Sequence, residues 1–544
     1  MTAGQKFVRL LPSLALVVAA VAAFATLAAN VIGNGRLSVE ESIQIVRALW
    51  YGSGAVKPFS AADAGSTMPL YSYLLGLWQS AAGADVARAR YLSVGLTLLD
   101  AALLFAVSRR LTANTQVAAA AVFIFLVTPA AAYFHLLAAP IAAVTFFHLL
   151  AIFLIVQGLG RPRVGVTIAF ALTLAVLVLF DRDMLAAVLF LGPLYVVAIG
   201  KQRFLHLLLA MIVFCAVMGG AYVQFGERWL DALRWGPLLA PAWMEAGIPP
   251  PRAALIELNT VQGTGVIYSL PPDLGGVIVD SIVLPYGAAI LTALLLFVTA
   301  GRGLRVLWAV PIYVLWLIGS RLLGPLAGCD DCLIRGAGAD MGVIALGCAL
   351  TLAMAYRSAR QKGLTASVII IGGALLITVA NTFGPALASR PERQYFPAPM
   401  LRYPGAAPEK IEMRAVEQFI AKNSPGREPV LILHAVPGMP AAATLAGRRI
   451  PAQSLNPMPA YRTIKSSVPD RQREATLAAI EGAGLWTDET LKRWLERDYD
   501  VVIVENELRG LDRAKIDPAL STAFERIAEI SVAGRQFVLY RRKA

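Results

Sequence analysis

Eleven stretches of the chain hold roughly 17–22 predominantly apolar residues each, near 11–32, 91–108, 116–134, 138–157, 164–180, 184–199, 204–222, 277–299, 304–320, 338–355 and 364–385. Each can cross about 30 Å of hydrocarbon as an α-helix. With 57% apolar and 15% charged residues in 544, the balance lies far from that of a soluble domain. The expected fold is a polytopic α-helical membrane protein of about eleven spans, residues 1–385, followed by a small α/β domain at 386–544. The first run follows Lys6 and Arg9 and has no small-residue cleavage site, so it reads as an anchor rather than a removed signal.

Orientation follows from where Lys and Arg lie in short loops. Alternate loops carry Lys6 and Arg9, Arg109 and Arg110, Arg161 and Arg163, Lys201 and Arg203, Arg302 and Arg305, and Arg357, Arg360 and Lys362, with no Asp or Glu among them. The N-terminus is therefore expected in the cytoplasm. An odd number of spans then places the C-terminal domain outside, in the periplasm of a bacterial inner membrane. The net charge of +13 is partly this topology signal, so membrane lipids and not nucleic acid are the expected surroundings. Of four cysteines, Cys215 and Cys348 fall in spans, and Cys329 and Cys332 share an external loop where either a local disulfide or two free thiols fit.

The polar stretch 33–93, between the first two spans, concentrates the chemistry. Leu37 to Trp50 reads as a short helix along the outer membrane surface: Ser38 suits its N-cap, Glu40 and Glu41 its first turn, and Ile43, Val46, Leu49 and Trp50 form an apolar face. Gly52-Ser53-Gly54 breaks it, and a second surface helix begins near Met68-Pro69-Leu70. Asp181-Arg182-Asp183 sits at an outer membrane edge, where a guanidinium matches phosphate oxygens. Glu227 to Leu239 reads as a further interfacial helix, suited to a lid. Asp100, inside the second span, should face the bundle interior.

This order of features resembles the GT-C superfold of polyprenyl-phosphate-dependent glycosyltransferases, which includes protein O-mannosyltransferases and lipid A aminoarabinose transferases. The matching residues are Glu40-Glu41 for the acidic pair, Gly54, Thr67-Met68-Pro69-Leu70 for the start of the second surface helix, and Ala89-Arg90-Tyr91-Leu92-Ser93 for the entry to span two. Two departures stand out. Thr67 replaces the usual histidine, and Thr128 to Pro140 offers His135 where the family carries a second acid.

The resemblance implies transfer of a sugar from a polyprenyl-phosphate donor to an envelope glycan, lipid or protein, with inversion. Such transfer needs a base for the acceptor hydroxyl and positive charge for the departing phosphate. It assigns Glu40 as the base, with Glu41 as its orienting neighbour. Arg182, Arg90 and Arg88 are assigned to the donor phosphate, and Asp63, Lys57 and His135 to substrate. Each has a plainer alternative: helix-terminal carboxylates, snorkelling arginines, a solvated loop, a packed histidine. No residues are assigned to a metal, and a divalent ion is left open. A catalytically silent GT-C relative that binds lipid or scaffolds an envelope complex is the main alternative. A transporter would need internal repeats, and none is visible.

The C-terminal part reads as helix (Ile411–Lys422), strand (Val430–Val436), helices at Asp470–Ala483 and Thr487–Arg497, strand (Tyr499–Glu505), helix (Pro518–Glu525) and a last strand or hairpin (Ala528–Tyr540). No glycine-rich phosphate loop follows either strand, so no nucleotide site is expected.

Overall fold

The computed structural model describes residues 3–34, 37, 39–60, 63, 68–127, 134–159, 163–199, 203–234, 312–317, 319–320, 338–350, 353, 408–424, 429–433, 438–451, 488–506, 513–532 and 535–543. The expected spans at 277–299 and 364–385, the Cys329–Cys332 loop, the helix at Asp470–Ala483 and the domain boundary at 385/386 lie outside these residues.

The membrane part opens with α1 (Ala3–Asn34), followed by two short helices, α2 (Val39–Gly52) and α3 (Leu70–Ala82). Then come α4 (Val86–Thr112), α5 (Thr115–Val127), α6 (Ile141–Gly158), α7 (Val164–Phe180), α8 (Leu185–Ile199) and α9 (Arg203–Phe225). A one-turn 3-10 helix, Arg182–Met184, leads into α8. The short α10 (Glu227–Arg234) follows, and later α11 (Gly338–Leu350). Among the described residues five helices are long and apolar enough to cross a membrane, and three shorter apolar ones, α5, α7 and α11, accompany them. Their outer faces are apolar as well: Leu14, Val18, Leu99, Val197, Phe204 and Val223 are exposed, the arrangement expected where hydrocarbon replaces water. The chain is a polytopic helical membrane protein.

Helix ends follow ordinary capping chemistry. Asp85 caps α4 by accepting from the Ala87 N–H at 3.0 Å, which starts the helix five residues before the expected 91. Arg109 and Arg110 lie in its last turn, where cations meet the negative end of the dipole. Gly54 has φ +69°, the left-handed conformation in which glycine is free of Cβ strain, and it turns the chain out of α2.

The C-terminal part holds α12 (Pro408–Asn423), β1 (Val430–Leu433), α13 (Met439–Leu445), α14 (Asp488–Arg493), β2 (Val501–Glu505), α15 (Arg513–Ala523), β3 (Phe524–Val532) and β4 (Arg535–Arg542). The strands form one sheet in the order β1-β2-β4-β3, with β1 parallel to β2 and the last three antiparallel. Period-2 alternation splits the central strands. Leu431, Leu433, Val502 and Val504 pack with Trp494, Ile516 and Leu520 on one face. Val430, Ile432, Val501, Ile503, Phe537 and Leu539 belong instead to the same apolar cluster as the membrane helices.

That shared cluster corrects one expectation. Helix α2 does not lie as a surface helix with one wet face. Glu41, Ser42, Gln44, Ile45, Val46, Arg47 and Ala48 are all buried, because α3 crosses one side of α2 and α13 of the C-terminal part packs on it as well. The Ala441 N–H donates to Ser42 Oγ at 3.2 Å across this contact. The Ser72 hydroxyl donates to Gln44 Oε1 at 2.6 Å from α3.

Candidate active site

Two buried carboxylate–guanidinium pairs organise the loop after the first span. Glu41 stands in the first turn of α2, and Arg90 in the second turn of α4. Arg90 Nε and Nη2 donate to Glu41 Oε1 and Oε2 at 2.7 and 2.9 Å, a bidentate pair. Arg90 Nη1 donates to the Val31 carbonyl at the end of α1 (2.7 Å), and the Ala138 N–H donates to Glu41 Oε1 (2.9 Å). One ion pair thus ties together the end of span one, α2, the start of span two and the segment before α6.

Asp63 is the centre of the second pair. Arg47 Nε and Nη2 donate to its two oxygens at 3.1 and 3.0 Å, while the Tyr51 hydroxyl and the Phe59 N–H each reach Oδ2 at 2.8 Å. Burial alone would lower the Arg47 pKa, but the adjacent Asp63 carboxylate outweighs it and holds the guanidinium above its ordinary range. Burial likewise pushes the Tyr51 phenol well above its usual value, so it stays a donor.

A third cluster lies where the 3-10 turn meets α10. Arg182 is mostly buried, its Nη1 donates to the Ala232 carbonyl at 2.8 Å, and its Nε is 3.9 Å from Asp183. Asp181 accepts from the Asp183 N–H at 2.9 Å, which fixes the turn. Arg228 Nη1 donates to the Phe59 carbonyl at 3.0 Å, so α10 is anchored on the loop that carries Asp63. Phe59, Met68, Ala221, Trp229 and Ala232 pack together beneath these arginines.

The other expected residues are placed as follows. Glu40 is the second residue of α2, and its side chain lies outside the described residues, as does Thr67. Lys57 is exposed, and its carbonyl accepts from the Ser60 N–H. Arg88 is exposed and folds back over Gly83, where its Nη1 occupies the place a Cβ would take. His135 is fully buried, with Nε2 3.0 Å from the Gly338 carbonyl and Nδ1 3.5 Å from Asp100 Oδ2. The expectation that Asp100 faces the interior is met. His135 is enclosed with it, between span two and α11. Among the described residues no three His, Cys, Asp or Glu side chains gather as metal ligands.

Sequence reasoning missed three contributors. Arg47 is one, a guanidinium with Tyr51 one helical turn after it and its carboxylate partner sixteen residues on. The Ala138 amide and Arg228 act through backbone contacts, which leave no trace in residue type.

The chain matches no protein-family model and no curated protein. It is similar to several solved structures. ArnT from Cupriavidus metallidurans bound to undecaprenyl phosphate superposes with TM-score 0.57 at 12% identity, over 97% of each chain. The Archaeoglobus fulgidus oligosaccharyltransferase tethered to an acceptor peptide gives 0.52 at 12% identity, over 98% of this chain and 74% of that one. The archaeal oligosaccharyltransferase AglB, also from Archaeoglobus fulgidus, in complex with an inhibitory peptide and a dolichol-phosphate gives 0.51 at 13% identity, over 98% and 74%. At such identity the likeness establishes the fold: the chain has the GT-C superfold.

Proposed function

We propose that the chain is a membrane glycosyltransferase that moves a sugar from a polyprenyl-phosphate donor to an envelope acceptor (lipid A, polysaccharide or protein), with inversion, on the outer face of a bacterial inner membrane. The observation that carries this is the two buried carboxylate–guanidinium pairs, Glu41 with Arg90 and Asp63 with Arg47, that hold the loop after the first span in a chain with the GT-C superfold. The solved structures it resembles hold undecaprenyl phosphate, dolichol-phosphate or an acceptor peptide. The packing of α13 on α2 supports the topology, since the C-terminal domain and the loop must share one side of the bilayer to touch.

Glu40 is the base in this reading, held at the N-terminus of α2. Glu41 and Arg90 together fix that helix, so Arg90 moves from the donor phosphate to a positioning role: each of its nitrogens donates to a protein oxygen. Asp63 positions Arg47 in the same manner. Arg182 remains the cation for the departing phosphate, with Arg88 and Lys57 on the exposed side of the loop. Glu40 takes the proton of the acceptor hydroxyl as the acceptor oxygen attacks the anomeric carbon from the face opposite the phosphate; the bond from that carbon to the phosphate oxygen breaks and the phosphate departs beside Arg182, which gives inversion.

The test is transfer in membranes from radiolabelled polyprenyl-phosphate sugars. Glu40→Gln should lower turnover by roughly 10²–10⁴-fold, and Arg182→Ala should also reduce it. Undiminished turnover in Glu40→Gln would remove Glu40 from the mechanism. The silent-relative reading has its own support, because Glu41 and Asp63 are both bound to arginines. Lipid binding without turnover from any donor would favour it.

A further inference from the structure

We propose that Asp100 and His135 are positioning residues for the transfer: a proton held between Asp100 Oδ2 and His135 Nδ1 fixes residues 134–139, and through the Ala138 N–H that segment aligns Glu41 and the first turn of α2, which carries Glu40. The effect on turnover rests on the transferase reading above; the proton bridge itself does not.

Arg90, Ser93, Thr97 and Asp100 are spaced three, four and three residues apart, which puts them on one face of α4 over about 15 Å of its length. All four are buried. Arg90 binds Glu41, which also accepts from the Ala138 N–H at 2.9 Å. The Ser93 hydroxyl donates to the Leu137 carbonyl at 2.6 Å, and the Thr97 hydroxyl is shared between the carbonyls of Ser93 and His135 at 2.8 and 3.1 Å. Asp100 closes the row, with Oδ2 3.5 Å from His135 Nδ1. One face of span two therefore grips the segment before α6 from residue 135 to the amide that holds Glu41.

The neighbours of the imidazole fix its tautomer. Nε2 is 3.0 Å from the Gly338 carbonyl and 3.4 Å from Thr145 Oγ1, which gives its own hydrogen to the Ala339 carbonyl at 3.0 Å. Both groups beside Nε2 can only accept, so the network assigns a proton to that nitrogen. The neutral ring then turns a lone pair at Nδ1 toward Asp100, whose oxygens take a hydrogen bond from no other group among the described residues. Glu41 and Asp63 show the contrast, with three and four donors respectively. Two bare acceptors face to face inside a bundle repel. One proton between them makes the contact a hydrogen bond and leaves the pair without net charge, whichever atom it sits on. Of the other elements packed round the ring, α5 presents the edge-on Phe125, His148 of α6 faces the Tyr313 hydroxyl, and α11 carries Asp340, buried with interactions of its own.

The experiment uses the full-length protein in nanodiscs, with nitrogen-15-labelled histidine read by solid-state NMR. The chain has four histidines, and the His135 signals are those lost in His135→Gln. In wild type Nε2 should be protonated and Nδ1 should show the shift of a nitrogen sharing a proton. Asp100→Asn, whose amide can donate to Nδ1, should keep the Ala138 amide protected from hydrogen exchange and keep turnover close to wild type. Asp100→Leu should leave Nδ1 bare, speed exchange at Ala138 and lower kcat by about 10²-fold with the KM for the donor unchanged. A bare Nδ1 or a bare Nε2 in wild type would overturn the proposal, as would equal losses in the Asn and Leu variants or a Leu variant that changes neither exchange nor turnover. The wild-type shift and Asp100→Asn decide the matter even where Asp100→Leu does not fold. Absence of transfer from any donor would count against the transferase reading alone, since the Nδ1 shift and the Ala138 exchange still test the bridge.

Discussion

A guanidinium inside a helical bundle is costly unless its donors find oxygens: all three nitrogens of Arg90 donate to one, and Nε and Nη2 of Arg47 donate to Asp63. Removing one partner is then far worse than removing both. Asp63→Asn should destabilise the protein by about 3–5 kcal/mol, and Arg47→Met combined with Asp63→Leu should recover only part of that, because the Tyr51 hydroxyl and the Phe59 N–H also lose their acceptor; thermal unfolding in detergent checks the pair. The same site predicts a pH dependence. Tyr51 has a folded pKa above the unfolded value of about 10, so the stability it contributes is complete below pH 10 and is lost as pH rises toward and through the folded value. Measured from pH 8 to 11, wild type should lose more stability than Tyr51→Phe, whose profile should be flatter; parallel profiles would take Tyr51 out of the account.

Single helices were legible in the sequence wherever length and apolar character sufficed. Helices α1, α4, α6 and α9 fall where uninterrupted apolar runs place them, and β1 and β2 follow from short runs of Val, Ile and Leu. The surroundings of α2 were not legible. Its periodicity left Glu41, Ser42, Gln44 and Arg47 on what reads as a wet face, and their partners are Arg90, Ala441, Ser72 and Asp63, up to 399 residues away. Side-chain pattern within a helix carries no information on contacts of that range. Close packing of α2 on α3 was equally hidden, because it depends on a missing atom. A Cβ on Gly76 would sit 2.7 Å from the Ala48 carbonyl oxygen, so the helices cross only because residue 76 has none. Gly76→Ala should force them apart at about 1–3 kcal/mol and lower transfer along with the melting temperature. Gly95→Ala, in α4 with open space around its Cβ, should be neutral or stabilising by up to about 1 kcal/mol. Equal effects at the two positions would argue against a tight α2–α3 crossing.

At the scale of the molecule, the C-terminal domain is part of the loop's architecture, because one apolar cluster runs from α1 and α2 through α13 to the sheet. A separately folding module on a tether would turn a polar face toward the membrane part. Here Met439 is buried, and Ala441, Ala442 and Ala443 are buried and small enough to let α13 approach α2 closely. The carboxylate-bearing helix is consequently held from two directions, by the bundle through Arg90 and by the C-terminal domain through the Ala441–Ser42 hydrogen bond. A large residue at the contact should therefore act at a distance from its own fold. Ala441→Trp overpacks the contact at about 1–3 kcal/mol. Hydrogen exchange should rise in α2 at residues 41–48 while β1, β2 and β4 keep their protection, and transfer should fall because the helix bearing Glu40 is no longer fixed. Faster exchange confined to the sheet, with α2 and transfer unchanged, would show instead that the domain rests on the loop without positioning it.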